Sequence, residues 1–284
     1  MDFSAMTKIR IFRLRSCRPT EEASRDHETT LSLYFENYRK HGCERRFIYI
    51  VKHPVETARV VITIFCLPRL SVEPPTTTDG VFIREVLRPR SLPVRIAGFT
   101  TGVLTIPNTP DQYSLGHAKQ TLRRKVRIAR KLGVRWAEVV SPCERRELLE
   151  LAAKCEQEHP NVIYRNLYPE NRDLLNYGLW LAAYSADGRP LLLSVIPVDG
   201  DFALLRYFRT IGWGEEQSNA RYLMTEILVE RLAARGIRYL IDGTFTSKLP
   251  DGLRQFQQMV GFHSVRIYLA RSKGIELRRW RKAW

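Results

Sequence analysis

Residues 218–243, SNARYLMTEILVERLAARGIRYLIDG, decide the fold expected for this chain. Apolar residues recur at three- and four-residue steps between Ala220 and Leu232, which predicts a helix over about residues 218–235. Gly236 is a residue that commonly ends a helix, and the apolar run at 237–242 predicts a buried strand after it. If a strand also precedes the helix, the two strands are expected to lie parallel and to be joined by a right-handed crossover.

The segments on both sides of this stretch complete an α/β pattern. Two Asp-Gly pairs, at 187–188 and 199–200, separate apolar runs and predict tight turns in an antiparallel meander. The predicted meander strands are residues 178–184, 190–198 and 202–209. A helix at 249–260 and a last strand at 264–269 follow. The sequence therefore predicts a mixed sheet in which the strand at 237–242 lies parallel to the one at 202–209.

The N-terminal part has a different composition. Runs of β-branched and aromatic residues, broken by prolines, predict strands there. These runs are residues 47–51, 60–65, 81–83 and 94–96. The prolines and asparagine within 107–111 mark a predicted boundary. We therefore divide the chain into a strand-rich lobe at 1–110 and a second domain at 111–284.

A basic helix is predicted at the start of the second domain, over residues 114–132, and it ends at Gly133. No acidic residue lies between Gln112 and Ala137, although a solvated helix usually mixes charges of both signs. Its unopposed cations are Lys119, Arg123, Arg124, Lys125, Arg127, Arg130, Lys131 and Arg135. Together with the net charge of +16, they favour an anionic partner, and a solvated basic surface is the alternative.

The order of these elements resembles the GNAT acyltransferase superfamily. The stretches at 219–224 and 235–243 look like its donor-binding helix and the strand after it, and 252–262 looks like its last helix and the turn that follows. The basic stretch at 122–134 is similar to that of FemABX-like aminoacyl-tRNA-dependent peptidyltransferases. Those proteins pair two GNAT-like lobes, which implies a degenerate GNAT-like lobe at 1–110. They usually carry a Lys after the Phe of the last helix, whereas Gln257 follows Phe256 here.

The resemblance implies where the site residues should lie. The donor-binding candidates are Arg209, Thr210, Gly212, Gly214, Ser218 and Asn219. A plain turn is the alternative for this loop, because Glu215 and Glu216 would repel a pyrophosphate. The catalytic candidates are Asp242, Thr244 and Tyr207. Asp242 is expected to act as a general base or an orienting group, and a turn-forming Asp before Gly243 is the alternative.

The expected function is acyl transfer that forms an amide bond on an amine, a small molecule or a peptide. Aminoacyl-tRNA is the favoured donor, for which Lys119, Arg123, Arg124, Arg127, Arg130 and Lys131 are the candidate contacts. The alternatives are an acyl-CoA-dependent N-acyltransferase and a non-catalytic module that binds nucleic acid or an anionic membrane surface. We expect no metal site and no tightly bound cofactor. The sequence has no long apolar run and no secretory signal, so we expect a cytoplasmic location.

Overall fold

The computed structural model describes residues 21–41, 45–73, 75–88 and 99–270. Ten strands form two sheets within these ranges. They are β1 Arg69–Val72, β2 Phe99–Thr105, β3 Arg135–Glu138, β4 Leu179–Tyr184, β5 Pro190–Ile196, β6 Val198–Asp199, β7 Phe202–Leu205, β8 Tyr207–Thr210, β9 Tyr239–Phe245 and β10 His263–Leu269.

Eight α-helices lie in the same described ranges. They are α1 Glu21–Lys40, α2 Arg45–Lys52, α3 Pro54–Cys66, α4 Thr78–Val86, α5 Gln120–Lys131, α6 Pro142–Gln157, α7 Glu215–Ala234 and α8 Asp251–Val260. None of the helices in the described part is long and apolar enough to cross a membrane.

A bent hairpin links the two sheets. Its first arm is β5 followed by β6, and its second arm is β7 followed by β8. β6 and β7 belong to a six-stranded sheet with the order β1-β10-β2-β9-β7-β6, and β5 and β8 belong to a four-stranded sheet with the order β3-β4-β5-β8. The hairpin therefore passes from one sheet into the other, and the point where it bends lies between them.

The pairings confirm the predicted mixed sheet. β4 pairs with β5 and β5 with β8, both antiparallel, as expected for the meander. β7 and β9 are parallel, with Phe202 opposite Tyr239 and Leu205 opposite Asp242. Between them, α7 forms the predicted crossover and ends before Gly236, whose φ of 74° suits glycine.

Helices cover the sheets on both faces. A large core contains buried side chains of α5, α7 and α8 together with residues of both sheets. A second core lies between α6 and the other face of the four-stranded sheet. A third core lies between α4 and the other face of the six-stranded sheet. The bend in the hairpin is thus held between layers of packed helices.

The predicted N-terminal strands are wrong where the structure describes them. Residues 47–51 lie in α2, 60–65 in α3 and 81–83 in α4. Pro54 opens α3, and Thr77 caps α4 by accepting a hydrogen bond from Gly80 N at 3.1 Å. In α3 the inward residues are Val60 and Thr63, three apart, which is helical spacing. The predicted strand at 94–96 lies outside the described residues.

The basic helix is shorter than predicted. Residues 110–119 form two short 3₁₀ turns instead, and Gly116 between them has a φ of 87°. β1 and β2 pair with β10 and β9, so the large sheet includes strands from both sides of residue 110. The division into two GNAT-like lobes remains a prediction.

Candidate functional site

The predicted strand at 202–209 is interrupted, and this interruption creates the site. Arg206 N donates to Leu204 O at 2.8 Å, which closes a three-residue turn between β7 and β8. β7 pairs with β9 up to the Leu205–Asp242 pair, whereas β8 turns away from β9 and pairs with β5. Among the described residues, β8 pairs with β5 alone, and the end of β9 pairs with β2 alone. The facing edges of β8 and β9 therefore leave backbone groups free to bind an extended ligand.

A polar cavity of about 360 Å³ opens beside this split. Side chains of α6, of the loop after it and of the hairpin's second arm line the cavity. They are Glu156, Asn166, Tyr168, Glu170, Asn171, Arg206, Tyr207 and Arg209. All eight are polar or charged, so the cavity suits a small polar ligand better than an apolar chain.

Tyr207 and Glu156 form the centre of the cavity wall. The Tyr207 hydroxyl donates to Glu156 Oε1, which also accepts from Asn171 Nδ2 at 3.1 Å. Asn166 Nδ2 lies 3.4 Å from the other oxygen, Glu156 Oε2. Burial and the Glu156 carboxylate raise the pKa of Tyr207, so its hydroxyl stays protonated at neutral pH. The Glu156 carboxylate is thus held by three donors and faces the cavity.

Two arginines of the hairpin's second arm flank this pair. Arg206 forms a bidentate contact with Asp173, with Nε–Oδ2 and Nη2–Oδ1 distances of 3.2 Å each. Arg209 is exposed and makes no hydrogen bond or ion pair with any described residue. Burial raises the pKa of both Tyr207 and Asp242, and the nearby Arg209 charge opposes the rise in each case.

Asp242 lies at the last parallel pair before the split and is 7% exposed. Its Oδ1 accepts from Thr244 N at 2.8 Å, and its Oδ2 accepts from Gln257 Nε2. Burial raises the pKa of Asp242, although these hydrogen bonds and Arg209 partly oppose the shift. Gln257, the residue that departs from the FemABX-like pattern, therefore contacts the candidate catalytic carboxylate.

Thr244 contributes to this arrangement through its backbone. Its N–H is the donor to Asp242, and its carbonyl accepts from Thr101 Oγ1 at 2.8 Å. Thr101 Oγ1 also lies 2.6 Å from Asp242 O. β2 therefore fixes the end of β9, and Thr244 helps to hold Asp242 in place.

The predicted donor loop around Gly212 is contacted by a side chain of the protein itself. The Gln217 amide lies 3.1 Å from the ideal Cβ positions at Gly212 and at Gly214. Both glycines have positive φ, 83° and 143°. At the start of α7, Glu215 lies 3.9 Å from Lys125, and Glu216 lies 3.7 Å from Arg189. Gln217 thus packs against the loop, and two carboxylates lie at the start of the helix that follows it.

The other predicted donor residues occupy different environments. Arg209 lines the cavity, Thr210 pairs with Leu192 in the sheet, and Ser218 is exposed on α7. Asn219 is 0% exposed, and neither atom of its amide has a hydrogen-bond partner among the described residues. A donor cannot touch Asn219 in this conformation, so Arg209 is the strongest of these candidates.

The predicted cations on α5 and on the short turn before it fall into two groups. Lys119 Nζ donates to Val260 O, and burial lowers the pKa of Lys119 to about 8. Arg123 donates to Ser114 O at 2.6 Å, and Arg130 pairs with Glu226 at 2.6 Å. The exposed cations without a hydrogen bond or ion pair to a described residue are Arg124, Arg127 and Lys131. A partner outside the chain is therefore expected to meet these three first.

An open cavity of about 470 Å³ lies along the same helix. It is lined by Ser114, Arg123, Val126, Arg127, Arg130, Lys131 and Glu226. Burial raises the pKa of Tyr222 on α7, and the charges of Arg221 and of Arg124 on α5 oppose that rise. Burial, followed by the charge of Arg209, lowers the pKa of Arg221.

Comparisons with known proteins found solved structures with a partial likeness. L-PGS from Bacillus licheniformis matches with a TM-score of 0.45 and 11% identity, over 60% of this chain and 61% of that one. The C-terminal domain of a protein assigned as lysylphosphatidylglycerol synthetase, from Agrobacterium fabrum, gives 0.42 and 14%, over 58% of each chain. A conserved protein from Enterococcus faecalis, assigned as an N-acyltransferase, gives 0.32 and 10%, over 54% of this chain and 36% of that one.

No protein-family model and no curated protein matches the chain. It spans about three fifths of the first two matched structures. The strand order and the split between β8 and β9 are consistent with a GNAT-like fold. The closer resemblance to FemABX-like proteins remains a prediction.

Proposed function

We propose that this chain is an acyltransferase that forms an amide bond at the split between β8 and β9. The observation that carries the proposal is the split itself, with free strand edges beside a polar cavity and a buried carboxylate at its inner end. An extended acyl donor fits between the strand edges, and the amine acceptor fits in the cavity. Acyl transfer of this kind depends mainly on the relative placement of the two substrates.

The reaction needs an amine that has lost its proton. The amine nitrogen attacks the carbonyl carbon of the donor, a C–N bond forms, and the bond from that carbon to the donor's oxygen or sulfur breaks. We assign the role of proton acceptor to Asp242, because burial raises its pKa toward the range of an effective base. The proton that Asp242 accepts then passes to the departing oxygen or sulfur of the donor, and the Tyr207 hydroxyl, which donates to Glu156, holds that carboxylate in the cavity wall.

The cavity also indicates the class of acceptor. Glu156 and Glu170 present carboxylates that attract an ammonium group, and asparagine side chains supply neutral hydrogen-bond partners. The volume of about 360 Å³ is at the small end of ligand sites. We therefore propose a small polar amine, or the amino end of a peptide, as the acceptor.

Fewer structural features bear on the identity of the acyl donor than on that of the acceptor. Aminoacyl-tRNA is favoured by Arg124, Arg127 and Lys131, which are exposed on α5. A CoA thioester would need a phosphate site, and the loop around Gly212 packs against the Gln217 amide and is followed by two glutamates. These features favour the tRNA-linked donor over the CoA-linked one.

Native mass spectrometry of the protein with acyl-CoA thioesters and with charged tRNA tests the donor. Retention of tRNA supports the proposal, and retention of CoA alone replaces the donor by a thioester. Retention of neither donor, with no transfer to amines, would favour the non-catalytic module.

A salt titration of tRNA binding gives a sharper test of the basic helix. The triple variant Arg124→Gln, Arg127→Gln, Lys131→Gln should flatten the slope of log affinity against log salt by about 0.7–0.9 for each phosphate that the variant no longer neutralises. The matched control is Lys125→Gln, Arg130→Gln, Arg135→Gln, which removes equal charge from side chains that have partners within the chain. Equal slopes in the two variants would reduce the effect to net charge and remove Arg124, Arg127 and Lys131 as the specific phosphate contacts.

A further inference from the structure

The outward faces of α2 and α3 are unusually apolar for exposed helices. Seven large apolar side chains are each at least 43% exposed there. These are Phe47, Ile48 and Val51 of α2 and Val55, Val61, Ile62 and Phe65 of α3, together called the α2–α3 face. Exposed apolar clusters of this extent in soluble domains usually mark an interaction site.

The opposite faces of the same helices are well anchored, so the orientation of the α2–α3 face is fixed. Tyr49, Val60 and Leu67 are buried and pack in one cluster with Leu31 and Tyr34 of α1. The Tyr34 hydroxyl also lies 2.9 Å from Thr57 Oγ1. α1 itself is tied to the large sheet, because Glu28 accepts from the hydroxyl of Ser264 at 3.0 Å. The α2–α3 face is thus carried on a rigid support.

Charges around the face are mainly positive. Lys52 and Arg59 are exposed on α2 and α3, and the acidic Glu56 lies 3.1 Å from His53 Nδ1. The whole chain carries a net charge of +16. A surface that combines apolar side chains with cations is complementary to an anionic lipid bilayer.

The dimensions of the two helices fit a bilayer surface. α2 has 8 residues and α3 has 13, which is too short to cross the hydrocarbon core. Neither of the two cavities described above is lined by a residue of the α2–α3 face. We propose that the α2–α3 face inserts its apolar side chains into the interface of an anionic bilayer and docks the protein there.

Vesicle co-flotation tests this proposal without any need for transfer activity. The wild-type chain should float with vesicles of phosphatidylcholine and phosphatidylserine and bind much more weakly to phosphatidylcholine alone. The double variant Phe47→Asp, Ile62→Asp should lower the partition coefficient by roughly tenfold or more, because each buried apolar side chain contributes strongly to insertion. Replacing Lys52 and Arg59 by Gln should lower binding to the anionic vesicles by about fivefold per cation.

The matched control is Val162→Asp, Ile163→Asp, which alters two apolar side chains of comparable exposure, 73% and 71%, outside the α2–α3 face. This variant should float like wild type. Equal flotation of the Phe47/Ile62 variant and wild type would overturn the proposal. Light scattering gives a second test. If the wild-type protein is a dimer and the Phe47/Ile62 variant is a monomer, the face binds a second copy of the chain and the proposal is wrong. Melting temperatures verify that each variant is folded.

Discussion

Two tyrosine–glutamate pairs join α6 to the four-stranded sheet, one at each end of the helix. Tyr184 on β4 donates to Glu144 at 2.7 Å, and Tyr207 on β8 donates to Glu156. In both pairs, burial and the neighbouring carboxylate raise the pKa of the phenol. The pairs therefore share their chemistry, their helix and their sheet.

Their surroundings differ. Glu156 is also held by Asn171 and lies in the polar cavity beside the split, whereas Tyr184 and Glu144 do not line that cavity. A hydrogen bond between a phenol and a carboxylate stabilises the fold in either place. Only the Tyr207–Glu156 pair lines the cavity that we propose as the acceptor site, so variants of the two pairs can distinguish a structural effect from a functional one.

The largest effect is expected at the carboxylate on the inner side of the split. Asp242→Asn keeps the size of the side chain and removes its ability to accept a proton, so turnover should fall by roughly 10²–10⁴-fold. Steady-state transfer rates measure the change. Asp201→Asn is the control, because Asp201 is an exposed carboxylate paired with Arg238. Unchanged turnover in Asp242→Asn would leave Asp242 as a turn-forming residue alone.

The matched tyrosines should differ by a smaller factor. Tyr207→Phe removes the hydroxyl that holds Glu156 in the cavity wall and should lower kcat/KM by roughly 10–100-fold. Tyr184→Phe removes the same group outside the cavity and should leave kcat/KM within about twofold of wild type, since it touches no proposed substrate site. If both variants lose activity equally, α6 acts only by holding the fold.

Stability should not distinguish the two pairs. Each Tyr→Phe change removes one hydrogen bond to a carboxylate and should lower the free energy of unfolding by about 1–3 kcal/mol. Urea denaturation of both variants measures this. A much larger loss in Tyr207→Phe than in Tyr184→Phe would mean that the activity difference has a structural origin.

The smallest expected effect is a pH dependence of stability caused by Asp242. Because its pKa is raised in the folded state, the native protein binds a proton more tightly than the unfolded chain. Its contribution to stability is therefore full below the unfolded pKa and is lost as the pH rises through the folded one. Asp242→Asn should remove this decline, so its stability relative to wild type should increase with pH. A relative stability that falls with pH would contradict the raised pKa.

Short-range patterns in the sequence predicted the C-terminal fold well. The Asp-Gly turns, the apolar periodicity of α7 and Gly236 all act locally, so the meander and the parallel pair followed from them. In the N-terminal part, the β-branched residues of α3 favoured a strand by composition. Packing of Val60 and Leu67 against α1 overrides that preference. Residue propensities describe local preferences only, so they cannot predict this tertiary contact.

The candidate site could be predicted only in part for the same reason. Asp242 and Tyr207 were predicted as site residues because they end or lie within predicted strands, and their roles remain a prediction. Glu156 and Asn171 were not among the candidates, since a helix and a loop bring them to β8 only in three dimensions. The cations of α5 looked unopposed because the acidic partners of Lys125 and Arg130 lie on α7, about ninety residues further along the chain.

Hydrogen–deuterium exchange with and without donor tests the central claim, that the split between β8 and β9 holds the acyl donor. The backbone amides on the facing strand edges have no strand partner in the described structure, so they should exchange quickly in the free protein. Addition of charged tRNA, or of a CoA thioester if that is the donor, should slow exchange in peptides covering β8 and the end of β9. Protection of α5 alone, or an absence of protection in both β8 and the end of β9, would contradict the assignment of the site.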